Sequence, residues 1–385
     1  MSQTTCDAVV VGAGIVGAAC ADELARRGLR VSVVDREDIG SGATGAAMGH
    51  VVVMDDSDAQ FALTRYSQQL WQELRPELPE DVEYEQRGTI WIAADGDEMV
   101  EVRRKLDYYG RHGVPAQALD SRELQSLEPN LRPGLAGGLL VPEDGVLSPP
   151  SAARFLVDRA QKRGAKLRLG VAVAQIGKGQ VRLADGSAIS ADVIINAAGV
   201  CSPHLTPGIE IRSRKGHLVI TDCHPSFVRH QLVELSYLKS AHSESGDSVA
   251  FNAQPRRNGQ IIIGSSRQYG AAHNEVESSV LSRMLERAQE YMPGLAQMVT
   301  VRSWTGFRAA TSDKLPLIGQ CEEDKSIFLA TGHEGLGITT SLGTARILAD
   351  QITGAKSQIP VEPYLPSRTS ARPVATNSEA TGGLS

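Results

Sequence analysis

The feature that most constrains this chain is Ala8-Val9-Val10-Val11-Gly12-Ala13-Gly14-Ile15-Val16-Gly17, an apolar run that empties into three glycines at the spacing G-x-G-x-x-G. A buried strand, a glycine turn and a helix are what a dinucleotide pyrophosphate needs. Gly12 permits the tight turn, Gly14 lets backbone approach the phosphates, and Gly17 lets the helix pack closely on the strand. The helix, expected from Gly14 to Arg27, turns free N–H groups and a positive dipole end toward the anion. Gly28 would close it as a left-handed cap. Val31 to Asp35 reads as the second strand, and Asp35, 18 residues after Gly17, is spaced to bind ribose hydroxyls.

At 385 residues the chain exceeds the size at which one core stops growing, so two domains are expected, one inserted in the other. A net charge of −6 argues against nucleic acid as the main partner, since no basic stripe exists to release phosphate counterions. No apolar run approaches the ~20 residues that span a bilayer, and the first strand lacks the basic leader of a signal peptide. A cytoplasmic location is therefore expected. The five cysteines (Cys6, Cys20, Cys201, Cys223, Cys321) are scattered with no C-x-x-C pair. They read as structural thiols in a reducing compartment, and no metal site is expected.

Along the chain, Ile39 to His50 is a run of small residues that would let backbone lie against a flat ligand, and its Ser41 and Thr44 hydroxyls suit phosphate oxygens. A helix is expected from Ser57, as N-cap, to Leu74, ended by Pro76 and Pro79. Short strands follow from Val82, including 88–93, with a helix near Asp97 to Arg111. Ser151 to Arg163 reads as helix and Lys166 to Val173 as one strand. Gly179 to Ser187 reads as a hairpin turning at Asp185-Gly186. Asp192 to Gly199 is a buried strand ending in small residues, a second approach to the same ligand. From Ile211 to Thr305, alternating runs interrupted by a helix near Val276 to Met292 predict an antiparallel sheet. Ser326 to Ala330 is a strand leading into a second glycine turn, Gly332-His333-Glu334-Gly335-Leu336-Gly337, and a helix to about Ile352. The tail beyond Pro366 has a disordered composition.

The motif order GAGIVG, a Ser-Gly-Ala-Thr segment, INAAG, GFRAATSDKLPLIG and GHEGLGITTS resembles the FAD-dependent D-amino-acid oxidase superfamily, over about 350 residues. The run from Gly45 to Asp56, with Tyr66-Ser67, is most similar to the FAD subunits of D-hydroxyproline dehydrogenases. The chain departs from the superfamily in carrying Asp35 for the usual Glu, and Ala309 for the proline that usually follows the arginine.

The resemblance implies an α/β fold. A Rossmann-like FAD-binding domain (1–81, 147–212 and 306–365) would carry an inserted antiparallel-sheet α+β substrate domain (82–146 and 213–305), with 366–385 as tail. It implies FAD-dependent oxidation of a D-amino or cyclic imino acid, of the D-proline or D-hydroxyproline class, to the imine. The alternatives are a glycine- or sarcosine-type amine oxidase, or an FAD subunit relaying electrons to partner chains. The implied flavin-binding set is Gly12, Gly14, Ile15, Val16, Gly17, Asp35, Arg36, Ser41, Gly42, Ala43, Thr44, Met48, Gly49, His50, Val173, Ala198, Gly199 and Arg308, with Gly332, His333, Glu334, Gly335, Leu336, Gly337 and Ile338 of the last turn. The N-terminus of the last helix would stabilise charge developing on the reduced flavin.

Arg308 matches the arginine that binds the amino-acid carboxylate in that family, and its planar fork suits the role. Tyr237 is placed either on the carboxylate or in sheet packing. His50 is placed either on flavin or substrate, or as a satisfied structural histidine. His333 is read as packing beside the flavin.

Overall fold

The computed structural model describes residues 4–236, 247–271 and 273–369. The apolar run at the start becomes the strand Thr4–Val11, at the heart of an eight-stranded sheet. It pairs in parallel with Ala188–Asn196 on one side and Val31–Val34 on the other. Outward from these lie Ile327–Thr331 and Leu317–Gln320 at one edge and Lys166–Arg168 at the other. Ala8 and Val10 face a layer of helices, while Val9 and Val11 face a second apolar cluster behind the sheet. A strand buried on both faces has no polar side to show, which is why the sequence is continuously apolar there.

The helix layer holds Ile15–Arg26, Asp58–Leu74, Pro149–Lys162 and Gly337–Thr353. Ser57 caps the second of these, its hydroxyl accepting from the Gln60 N–H at 3.1 Å. Trp71, fully buried, donates its indole N–H to the Ile338 carbonyl at 3.1 Å and so pins this helix to the start of the last one. Arg27 bonds Asp350 at 2.5 Å and Arg346 approaches Glu23 at 3.3 Å, locking the first helix to the last.

A second eight-stranded sheet runs in the order Thr300–Ala310, Arg212–Thr221, Ile261–Tyr269, Ser248–Pro255, Gln231–Glu234, Thr89–Ala93, Gly137–Val141 and Gln117–Asp120. The helix Ser278–Tyr291 covers one face, stacking Tyr291 on Phe251 with ring centres 4.8 Å apart. The helix Gly96–Arg111 covers part of the other through Val102 and Tyr109.

Several expectations need correction. The strand expected over 166–173 is two, Lys166–Arg168 in the first sheet and Val173–Gly177 in a hairpin with Gln180–Leu183, broken where Gly170 turns to φ +73°. The second sheet is not wholly antiparallel, because Gln231–Glu234 runs parallel to Thr89–Ala93. Pro366–Thr369, placed in the tail, forms a helical turn held by Arg368 to Asp313 at 2.7 Å; 370–385 lie outside the described residues. Cys223 is exposed and so is no core thiol, whereas burial pushes the Cys20 and Cys321 thiols up to about 12.

Candidate active site

The first glycine turn is built as its spacing requires. Gly12 sits at φ +111°, where a Cβ would stand 2.5 Å from the Ala197 carbonyl oxygen. A Cβ on Gly17 would stand 2.0 Å from the Gly12 carbonyl oxygen, so helix and turn touch backbone to backbone. Around Gly14 the space is open except for the Thr44 hydroxyl, 3.2 Å from its would-be Cβ. The helix that follows has a glycine, Gly14, at its N-cap and so no cap from that residue's side chain. Ile15 N–H donates to Thr44 Oγ1 at 3.0 Å, which leaves the hydroxyl proton free to donate. Asp35 accepts from Ala13 N–H at 2.6 Å and Glu37 N–H at 2.9 Å, so it braces the turn itself and uses two of a carboxylate's roughly four lone-pair sites. Arg36 lies at the surface, 3.3 Å from Glu37.

The small-residue segment passes beside this turn. Ser41, Gly42 and Ala43 are at least partly exposed on a one-turn helix, Gly42–Gly45, and Thr44 is buried. Gly49, at φ +108°, lets the chain press on Leu147, whose carbonyl oxygen would stand 2.0 Å from a Cβ. Met48 packs with Leu218 and Ile262 of the second sheet. Val173 and Ala198 pack on the cluster that contains Val11 and Val34. Gly199, at φ +57°, has open space where a side chain would stand.

The second glycine turn closes on the first. Gly332 reverses the strand end at φ +81°, Glu334–Leu336 make a short helical turn, and Gly337–Thr353 begins with no side-chain cap. A Cβ on Gly337 would lie 3.8 Å from Val16 Cγ2, so the two uncapped helix starts are neighbours. Thr339 donates to the His50 carbonyl at 2.9 Å and accepts from Val52 N–H at 3.2 Å, tying the small-residue segment to the last helix.

Arg308 lies on the second sheet, in the strand Thr300–Ala310, across which the boundary expected at 305/306 falls. Its guanidinium lies over Gly216, where a Cβ would come within 2.6 Å of Nη2, and Nη1 donates to the Ser266 carbonyl at 3.0 Å. Its Cδ and Nε reach to 3.9 Å from the Cβ position of Gly335 in the last turn. His50 is near enough to feel that charge. Burial first and the Arg308 guanidinium second lower its pKa to about 3, so the ring is neutral, and its buried Nε2 has no hydrogen-bond partner among the described residues. His333 is buried and likewise lowered to about 3, its Nε2 2.9 Å from Thr344 Oγ1. The structure thus brings Arg308, His50 and the last turn together. Tyr237 lies outside the described residues.

Sequence reasoning missed Gly216 and Ser266, which the Arg308 guanidinium meets, Arg214, its cross-strand neighbour, and Tyr269, which packs on Arg214. One signal was available: Gly216 is an isolated glycine in a strand, which marks a close approach by something else. A surface cavity of about 800 Å³ on the outer side of the helix Asp58–Leu74, lined by Phe61, Tyr66, Tyr108 and Tyr364 among others, contains none of the expected site residues.

A family model described as FAD dependent oxidoreductase, DAO, matches residues 7–351. The chain belongs to the DAO family of FAD-dependent oxidoreductases. FAD is the family's cofactor. Among relatives, glycine oxidase of Geobacillus kaustophilus is 28% identical over 369 residues, covering 93% of this chain and 96% of that protein. An opine oxidase subunit of Rhizobium meliloti is 27% identical, covering 91% and 94%. The crystal structure of L-proline dehydrogenase from P. horikoshii superposes with a TM-score of 0.86 at 25% identity, covering 95% of this chain and 98% of that one. No helix of the described residues is long and apolar enough to cross a membrane.

Proposed function

We propose that this flavoenzyme oxidises a D-amino or cyclic imino acid, of the D-proline or D-hydroxyproline class, to the imine. The observation that carries the reading is Arg308, a guanidinium on the sheet face that meets the last glycine turn and a neutral His50, whose Nε2 has no hydrogen-bond partner among the described residues. The run from Gly45 to Asp56 with Tyr66-Ser67 supports the cyclic substrate. Bound FAD supplies the hydride acceptor.

The geometry fits that cofactor. Two neighbouring helix starts without an N-cap side chain of their own, after Gly14 and at Gly337, would offer N–H groups and aligned dipoles to the pyrophosphate and to the flavin respectively. Asp35 would take the ribose with its remaining lone pairs, and the Thr44 hydroxyl would donate to phosphate. The division into an FAD-binding unit and a substrate unit, one per sheet, is part of the same proposal.

This chain's own residues then do three things. Arg308 holds the substrate carboxylate and so fixes which Cα–H faces the flavin. His50, neutral because it is buried, accepts or donates a hydrogen bond at Nε2 without adding charge. The apolar wall of Met48 and Leu218 limits water at the reacting carbon. The hydride (two electrons and one proton) would pass from Cα to FAD when bound, while the substrate nitrogen would release its proton to solvent as its electron pair forms C=N, leaving this chain's residues to orient the Cα–H.

The test is anaerobic titration of the yellow protein with D- and L-amino acids, glycine and sarcosine, following loss of flavin absorbance. Bleaching by D-proline or cis-4-hydroxy-D-proline, and not by the L-forms, is the expected result. A second reading, a glycine- or sarcosine-type oxidase, is favoured by the glycine oxidase relative. Bleaching by glycine and peroxide production in air would select it. The opine oxidase relative, itself a subunit, suggests that electrons pass to partner chains, in which case dyes are reduced and oxygen is not.

A further inference from the structure

Arg308 has an arginine as its direct cross-strand neighbour, Arg214, and the fold treats the two differently. Arg308 lies back over Gly216 toward the Ser266 carbonyl. Arg214 is buried, its guanidinium carbon stands 4.5 Å from the Tyr269 ring centre, and Nη1 pairs with Glu334 Oε1. That glutamate reaches across from the last glycine turn, at φ +49°. A left-handed backbone is unfavourable for a residue with a long side chain, and the next position in the turn is a glycine that faces Arg308. A residue at some steric cost here is therefore supplying a carboxylate, and it supplies it to the second arginine within one strand spacing of the first.

We infer that Glu334 determines specificity: by occupying Arg214 it restricts the site to substrates with one carboxylate and excludes dicarboxylic amino or imino acids. The inference rests on Arg308 as carboxylate anchor. With Glu334 in place, a second substrate carboxylate meets a like charge and finds the arginine taken. With its charge removed, Arg214 becomes a second fork at the spacing of adjacent strands, about 4.7–4.9 Å in the backbone.

The test uses the FAD-loaded enzyme and two probes without an oxidisable Cα–H, pyrrole-2-carboxylate and pyrrole-2,5-dicarboxylate, with binding read from the perturbed flavin spectrum. Wild type should prefer the monocarboxylate. Glu334→Gln should shift the ratio of the two Kd values toward the dicarboxylate by roughly 10- to 100-fold, the weight of one charge-assisted hydrogen bond. Adding Arg214→Gln should cancel the shift. A wild type that already prefers the dicarboxylate, or an unchanged ratio in Glu334→Gln, overturns the inference. So does loss of FAD content or thermal stability in the variants with the ratio left in place, which is what a purely structural pair gives. Arg308→Ala separates the two levels. If it binds the monocarboxylate as wild type does, the anchor reading fails and this inference with it. If it weakens binding while the Glu334→Gln ratio stays fixed, only the role of Glu334 fails.

Discussion

Arg308 and Asp144 show how much one side chain can be asked to do. If the Arg308 guanidinium pairs with substrate in a site largely closed to water, Arg308→Ala removes one partner of a buried charge pair, typically about 3–5 kcal/mol. Its kcat/KM should drop by roughly two to four orders of magnitude. Arg308→Lys keeps the charge, loses the fork and should fall between. FAD content should stay normal in both, as flavin absorbance per protein would report, and pyrrolidine, with no carboxylate, should be a poor substrate for all three forms. Asp144 is fully buried, with Val53 N–H at 3.2 Å and Gln68 Nε2 at 2.9 Å donating to Oδ1 and no partner for Oδ2 among the described residues. Burial raises its pKa from 3.8 to about 7, so the folded state holds a proton that the unfolded chain releases. The stability it contributes is whole below about pH 4 and lost as pH rises through about 7, on the order of a few kcal/mol. His50 and His333, lowered to about 3, act with the opposite sign, weakening the fold as pH falls below about 6.5. Asp144→Asn isolates the first effect: its melting temperature should decline less than that of wild type between pH 5 and 8, and parallel curves would refute it. Arg308 was legible because it stands in a recurring motif. Asp144 and Arg214 were not, because their importance lies in partners 76 and 120 residues away.

Among the elements, the last two glycines of the first turn should separate folding from cofactor binding. Gly17→Val drives a side chain into the Gly12 carbonyl and should prevent folding, seen as insoluble protein. Gly14 meets only the Thr44 hydroxyl, so Gly14→Val should fold, with a native far-ultraviolet spectrum, and be colourless. A yellow, fully loaded Gly14 variant would remove this turn from the flavin site. At Ser57, substitution by Ala removes the bond to Gln60 N–H and should cost about 1 kcal/mol by denaturant titration without touching activity. The elements most legible in sequence carry their own punctuation: the helix Asp58–Leu74 between its cap and its prolines, and the hairpin turning at Asp185-Gly186, where Leu183 N–H meets the Ser187 carbonyl at 2.9 Å. Elsewhere the pattern was silent. Nothing local says that Gly170 breaks a strand, or that Gln231–Glu234 will lie parallel to a segment about 140 residues earlier.

At the scale of the molecule, the first sheet and its helix layer are assembled from pieces scattered along the chain, with the second sheet drawn from the intervals between them. A cofactor lying along both glycine turns should therefore act as a clamp between distant segments. Removing FAD should lower the melting temperature, and returning it at 100 times its Kd should restore about 2.7 kcal/mol, read by thermal scans across FAD concentration. No restoration would place the flavin elsewhere.

The adjacency of Val16 and Gly337 carries a further consequence for biosynthesis. A ribosome makes the pyrophosphate turn early and the turn that closes over it about 320 residues later. Until then the helix Ile15–Arg26 exposes the flank that Gly337–Thr353 will cover, even after Ala188–Asn196 has been made and can pair with Thr4–Val11. Nascent chains should hold no flavin, however long their first motif has been in solution. A chain stopped before Gly332 should remain colourless even though every glycine of the opening turn is present.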